Sequence, residues 1–193
     1  MMLPDWLPAA AGLTFLAVTA ARSLVARLRD GINPYVIDHS RPLEGFLGTV
    51  FVVLVLGLAG YLAVTAARPD LLPLLGPAEG WRLPAAILMA AAVVWTGWVQ
   101  FLMGASWRVG IPEGETLALR TDGPFGLSRN PIYVGMLGFL TGLAMWSPNM
   151  VTVAALAVGY VAVEVQVRLE EAYLLSTHGD AYEAYRRKVR RWL

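Results

Sequence analysis

The chain is 193 residues long, 57% hydrophobic and 15% charged, with a formal net charge of +1 and no cysteine. A soluble domain carries roughly a quarter charged residues, so this composition excludes an ordinary soluble fold and points to a membrane protein. The length allows one compact bundle and no added soluble catalytic domain, the near-zero balance gives no support for nucleic acid as a partner, and the missing thiols exclude disulfides, thiolate nucleophiles and thiolate metal sites.

Residues Met1 to Asp5 hold an acid and no base. A secretion signal needs a positive start, so the first apolar segment is expected to stay in the mature protein. A spanning helix needs about 20 apolar residues. The first runs from Trp6 to Val25, with Arg22 near enough its end to snorkel. The second is uncharged from Gly45 through Ala67, and the third from Leu83 through Trp107. His39 and His178, the only histidines, lie outside these runs, so neither an intramembrane haem nor a metal site is expected.

Between Ala105 and Arg129 the chain is polar and punctuated by Gly and Pro, which reads as a loop with a short strand at Thr116–Arg120. The next uncharged stretch, Asn130 to Val163, would be roughly 50 Å long as one helix, too long for a single crossing. Ser147-Pro148-Asn149 interrupts it with a turn signal. The stretch therefore reads as a tight hairpin of two helices, the second continuing to Leu175, for five spans in all. The tail from Gly179 to Leu193 reads as an amphipathic basic helix, with Tyr182, Tyr185, Val189 and Trp192 on one face. It suits an anchor on anionic lipid or a lid over a site.

With the N-terminus outside, five spans leave only Arg68 and Arg82 on the outer side and every other basic residue on the cytoplasmic side. That is the asymmetry expected of a multi-pass protein with a cytoplasmic C-terminus. It also puts the turn around Arg129 and the charged run Glu164, Arg168, Glu170, Glu171 at the same membrane face. Glu164, Arg168 and Glu171 share one helical face by spacing, and Gln166 and Glu170 share the next. Such a cluster at the mouth of a bundle is either a boundary ion network or a binding site. Asn130-Pro131 suits an N-cap followed by the first helical residue, whereas Arg129 and Tyr133 need another reason. Gly135, Gly138 and Gly142 flatten one side of the helix, for close packing or for a flat ligand.

The run Gly123-Pro124-Phe125, Ser128-Arg129-Asn130-Pro131-Ile132-Tyr133-Val134-Gly135, then Ser147-Pro148-Asn149, Glu170-Glu171 and Gly179-Asp180-Ala181-Tyr182-Glu183-Ala184-Tyr185-Arg186 resembles the isoprenylcysteine carboxyl methyltransferase family. That family is related to the phospholipid methyltransferases. The likeness covers roughly Gln100 to Arg191. It implies one membrane domain, 1–193, with variable N-terminal spans over 1–99 and a methyltransferase core over 100–193. It further implies S-adenosylmethionine as cofactor, entering from the cytosol, and a lipophilic acceptor whose carboxylate, thiol or amine takes the methyl group. By the resemblance the cofactor contacts are Leu117, Ala118, Leu119, Arg120, Phe125, Asn130, Pro131, Ile132, Tyr133, Glu170 and Glu171. Arg129, Asn130 and Arg168 are its residues nearest the chemistry. Asn130 stands where eukaryotic members usually carry histidine.

Two rival readings share these features. Sterol-type intramembrane reductases resemble the same C-terminal end but use a nicotinamide phosphate cofactor and are usually longer. A scaffold or transporter would keep the charged cluster as an ion network, and a transporter would carry polar residues near mid-bilayer. Gln100 is nearly alone in that role.

Overall fold

The computed structural model of the chain describes residues 3–29, 31, 33, 42–104 and 118–193. Among these residues, six α-helices follow one another: α1 (Leu7–Leu28), α2 (Pro42–Ala67), α3 (Arg82–Met103), α4 (Pro131–Trp146), α5 (Met150–His178) and α6 (Asp180–Lys188). No strand occurs among the described residues. The expected strand at Thr116–Arg120 is absent at Ala118 to Arg120, which are irregular, and its first two residues lie outside the described set.

Among the described residues, four helices are long and apolar enough to cross a membrane, the one through α3 beginning at Glu79. The fourth expected span, α4, is apolar but only 16 residues long. That is about 24 Å at 1.5 Å per residue, short of a hydrocarbon core of about 30 Å.

Lipid offers the backbone no hydrogen bonds, so polar groups must be satisfied within the bundle. Thr14, Thr49, Thr65 and Thr141 each donate their hydroxyl to the carbonyl four residues back. α2 shows the other half of the rule: Val52, Val53, Val55 and Leu56 are exposed and turn an apolar surface outward.

The core lies between α2, α3 and α4, where Tyr61 and Leu62 meet Ala85, Met89 and Ala92, and these meet Phe139, Leu143 and Trp146. α3 and α4 run antiparallel and pack most closely. A Cβ built on Gly135 would stand 2.0 Å from the Thr96 hydroxyl, and one on Gly142 would stand 2.7 Å from the Met89 side chain. The glycine stripe is therefore filled by α3, which leaves no gap there for a flat ligand.

The hairpin between α4 and α5 is built by Asn149. Its side chain accepts from the backbone of Val151 and Thr152, while Thr152 returns a hydroxyl contact to the Asn149 backbone N–H, forming a capping box. Asn149 Nδ2 also donates to the Tyr61 hydroxyl at 2.9 Å, tying the hairpin to α2. Opposite it, at the other end of the bundle, Arg22 does not snorkel outward. It is 1% exposed and donates to the carbonyls of Gln100 and Gly104. Gln100 lies in the last turn of α3 and Gly104 is its C-cap; carbonyls there lack helical partners, and a cation at a helix C-terminus is favourable.

Candidate functional site

Helices alternate in direction, so the C-terminal ends of α3 and α5 and the N-terminal end of α4 share one end of the bundle. Gly123 opens the approach to α4 at φ +56°, a conformation that glycine adopts freely, and starts the 3-10 turn Gly123–Gly126. This turn buries Phe125 and delivers Arg129 and Asn130 to the mouth.

Glu171, 8% exposed, is the hub. Arg129 donates to its Oε1 through Nε (3.2 Å) and Nη2 (2.9 Å). Arg191 donates to Oε1 through Nε (3.2 Å) and to Oε2 through Nη2 (2.7 Å). Asn130 Nδ2 adds a long contact of 3.4 Å. A carboxylate held by two guanidinium groups is a charge-assisted network that satisfies its buried oxygens.

Asn130 precedes α4 but makes no side-chain capping bond, contrary to the capping expectation. Its amide is instead turned onto Glu171 and the Arg191 carbonyl, because those acceptors are buried beside it and need a donor. Pro131 does occupy the first helical position, and its carbonyl accepts from Trp95 Nε1 at 2.7 Å.

A second buried carboxylate sits one residue away. Glu170 Oε1 accepts from the Tyr133 hydroxyl and from Gln166 Nε2 at 3.0 Å. Tyr133 and Glu171 thus belong to adjoining networks, joined through neighbouring residues of α5.

The tail closes over this end. α6 stops at Lys188, and Val189 is extended, so Val189 and Trp192 do not continue the amphipathic helix expected through Leu193. The reason is local: residues 189–191 give their carbonyls to the mouth. Arg129 N–H donates to Arg190 O (2.9 Å), Arg129 Nη1 to Val189 O (2.8 Å), and Ser128 Oγ to Arg191 O (3.0 Å). Trp192 Nε1 reaches Glu164. The Tyr185 hydroxyl donates to Phe125 O at 2.7 Å, and burial foremost, then Tyr182, pushes its phenol up to about 12. Tyr182 is 1% exposed, and burial followed by the Glu171 charge pushes its phenol up.

The structure does not draw every expected residue together. Arg129, Asn130, Pro131, Ile132, Tyr133, Glu170 and Glu171 meet at one end, and the Phe125 carbonyl is tied to Tyr185 of the tail that covers them. Arg168 stays out: its side chain is 60% exposed and pairs with Glu164 on its own helix. Arg120 faces Asp122 at 3.2 Å, Ala118 is exposed, Leu119 is half-buried, and Leu117 lies outside the described residues. Arg191 and Tyr182 were missed as site residues. Nothing in spacing couples Arg191 to Glu171. Gln166 was visible, since it lies one helical turn before Glu170. No group of acids or histidines placed to hold a metal ion occurs among the described residues.

A helical membrane bundle with two carboxylates, an arginine and a tyrosine gathered at one end defines a class, and sequence comparison gives it a family. A model of the family described as phospholipid methyltransferase matches residues 81–181, more than half of the chain. The chain belongs to that family, and with its long apolar helices it is an integral membrane protein of methyltransferase type. It is 39% identical over 72 residues to the protein-S-isoprenylcysteine O-methyltransferase of Schizosaccharomyces pombe, covering 37% of this chain and 30% of that protein. It is 36% identical over 80 residues to the methanethiol S-methyltransferase of Crocosphaera subtropica, covering 40% of this chain and 29% of that protein. An uncharacterised protein of Haemophilus influenzae is 33% identical over 63 residues, 32% of this chain and all of that protein. The chain thus matches about 30% of the length of the two named relatives. No solved structure matches it.

Proposed function

We propose that this protein transfers a methyl group from S-adenosylmethionine to a lipophilic acceptor, at the bundle end where Arg129, Asn130 and Tyr133 meet Glu170 and Glu171. That convergence of two stretches distant in sequence, within the family-matched segment, is the observation that carries the reading. The chain acts as one membrane domain, its core over residues 100–193, with the N-terminus outside and the site on the cytoplasmic face. The concentration of basic residues at this end supports that orientation.

The donor set suits the cofactor. Its amino-acid part carries an ammonium and a carboxylate, and its ribose carries a diol. Glu171 and Glu170 offer acceptors, Arg129 and Arg191 offer guanidinium donors, and the buried Tyr182 hydroxyl lies beside them. When bound, the sulfonium supplies an electrophilic methyl group.

The chain's own residues do the rest. Arg129 and Asn130 orient Glu171. Tyr133 and Gln166 fix Glu170 Oε1, leaving that carboxylate suited to hold a proton from a thiol or amine acceptor; a carboxylate acceptor would need no base. The tail, through Arg191 and Trp192, keeps water from the mouth, and alignment with water exclusion is what an in-line methyl transfer most needs. An acceptor with an apolar body would enter between helices from the bilayer. The relatives named above act on an isoprenylcysteine and on methanethiol, which supports acceptors with a carboxylate or a thiol. Family membership favours methyl transfer over the nicotinamide-dependent reductase reading.

Calorimetric titration of the detergent-solubilised protein tests this. Wild type is expected to bind S-adenosylmethionine, and Glu171→Gln to lose at least tenfold in affinity, about 1.4 kcal/mol. Undiminished binding by Glu171→Gln, or tighter binding of the nicotinamide cofactor, would overturn the reading.

A further inference from the structure

The tail that covers the mouth has a second face, which the methyl-transfer reading does not use. α6 buries Tyr182 and Tyr185 toward the bundle and ends in three cations, Arg186, Arg187 and Lys188. All three are exposed, as is Arg190 in the stretch beyond. Two acids stand against them. Glu183 pairs with Arg186 at 2.8 Å and lies 3.6 Å from Arg187, and Asp180 sits in the first turn of the helix. The Lys188 and Arg190 side chains make no ion pair among the described residues. Like charges gathered this closely repel one another unless an outside anion offsets them.

The depth of this face follows from α5. Glu171 stands about 32 Å along that helix from Met150 at the hairpin, and a hydrocarbon core is about 30 Å thick, so Glu171 marks the level where acyl chains give way to headgroups. Arg191 holds Glu171 and fixes the tail at that level. The next residue turns back toward the bilayer. Trp192 Nε1 donates to Glu164 Oε1 at 3.2 Å, and Glu164 lies two turns nearer the middle of α5, about 10 Å. Tryptophan at this depth is a mark of the membrane interface, and Leu193 beside it is exposed. The cations just before Arg191 therefore sit among headgroups and not out in bulk water.

Charge selects the occupant. A zwitterionic headgroup carries its own cation beside its phosphate, whereas an anionic lipid gives the surface a negative potential that attracts each nearby Lys or Arg.

We propose that Arg186, Arg187, Lys188 and Arg190 dock on the anionic lipid of the bilayer that the protein spans, and that this docking keeps the tail seated over Arg129 and Glu171. The link between the two faces is short. Val189 and Arg190, whose carbonyls accept from Arg129, lie between the last helical cations and Arg191. Lipid on one side and Glu171 on the other grip the same few residues, and the docking needs neither methyl donor nor acceptor.

Hydrogen exchange of the full chain in lipid nanodiscs tests it, in phosphatidylcholine alone or with about 30% of either phosphatidylglycerol or phosphatidylserine. Backbone exchange over residues 182–192 is expected to slow about fivefold in both anionic bilayers. At about 1 M salt, where the screening length falls to about 3 Å, it is expected to return toward the phosphatidylcholine rate. Lys188→Gln combined with Arg190→Gln removes two charges that pair with nothing among the described residues. This double variant is expected to exchange like wild type in phosphatidylcholine and to lose most of the slowing. Equal exchange of wild type in the neutral and anionic bilayers would overturn the proposal, and is the result expected of a face built for an acidic protein. Slowing that persists in full in the double variant would overturn it, as would slowing by only one of the two anionic lipids, which marks a fitted headgroup pocket.

Discussion

Arg129 and Glu171 stand 42 positions apart in the chain, yet the guanidinium of one lies 2.9 Å from the carboxylate of the other. The contact joins the start of α4 to the last third of α5. Because Arg191 grips the other oxygen of the same carboxylate, one acidic side chain holds three segments together.

Glu171→Gln is therefore expected to release the tail. Removing a partner from a buried charged network costs about 3–5 kcal/mol, and less where water reaches the arginines, as it does at the one-third-exposed Arg191 side chain. Limited trypsin digestion of the solubilised protein should show cleavage after Arg190 or Arg191 at least tenfold faster than in wild type. Equal rates would mean that the backbone contacts alone hold the tail.

Arg191→Lys and Arg191→Ala should separate charge from geometry. Lysine keeps the charge but cannot make the two-pronged contact to both Glu171 oxygens. If the fork matters, lysine should behave like alanine when only cleavage after Arg190, the site all three proteins share, is followed. If it digests like wild type, charge alone suffices.

The tail should also loosen at alkaline pH. Burial pushes the Tyr185 phenol up to about 12, above its unfolded value of about 10. Below pH 10 the phenol is protonated both folded and unfolded, and the full stabilisation is present. As pH rises from 10 to 12 the unfolded form loses its proton first, so stability falls, and the loss is complete above pH 12. Tyr185→Phe should flatten most of this limb, leaving the part due to Tyr182, and should cost about 1 kcal/mol at neutral pH through the lost bond to Phe125 O. Tyrosine absorbance followed against pH would read the alkaline limb, and thermal unfolding at neutral pH would read the cost of the lost bond.

Gly142→Leu should unfold the bundle core. Its side chain would collide with Met89 and with the Ala85 carbonyl, a backbone atom 3.1 Å from the built Cβ. Overpacking of this kind costs typically 1–3 kcal/mol. Gly57→Leu, where nothing lies within 4 Å, serves as the control. Thermal unfolding in one detergent should show a lowered midpoint for the first and no comparable loss for the second.

Arg168→Ala should leave S-adenosylmethionine affinity within about twofold of wild type, since its side chain is mostly exposed and bound to Glu164. A tenfold loss in the titration would bring Arg168 back to the site.

The sequence by itself determined the solvent and the segmentation. Uncharged runs of spanning length have few ways to satisfy their backbone other than as helices. The Ser147-Pro148-Asn149 break had to become a turn, and a run too long for one crossing had to fold back. The order of the Arg129–Tyr133 and Glu170–Glu171 motifs carries the resemblance to the family, because the local signals are contiguous.

Partnership was decided only by the tertiary structure. Arg168 lies three residues from Glu171 and belongs to Glu164; Arg191 lies 20 residues away and belongs to Glu171. Asn130 looks like a cap and acts as a donor to a buried acid. In each case the deciding quantity is which desolvated oxygen still lacks a donor once the helices have packed. That depends on how three segments converge in space, which no periodicity along one of them encodes.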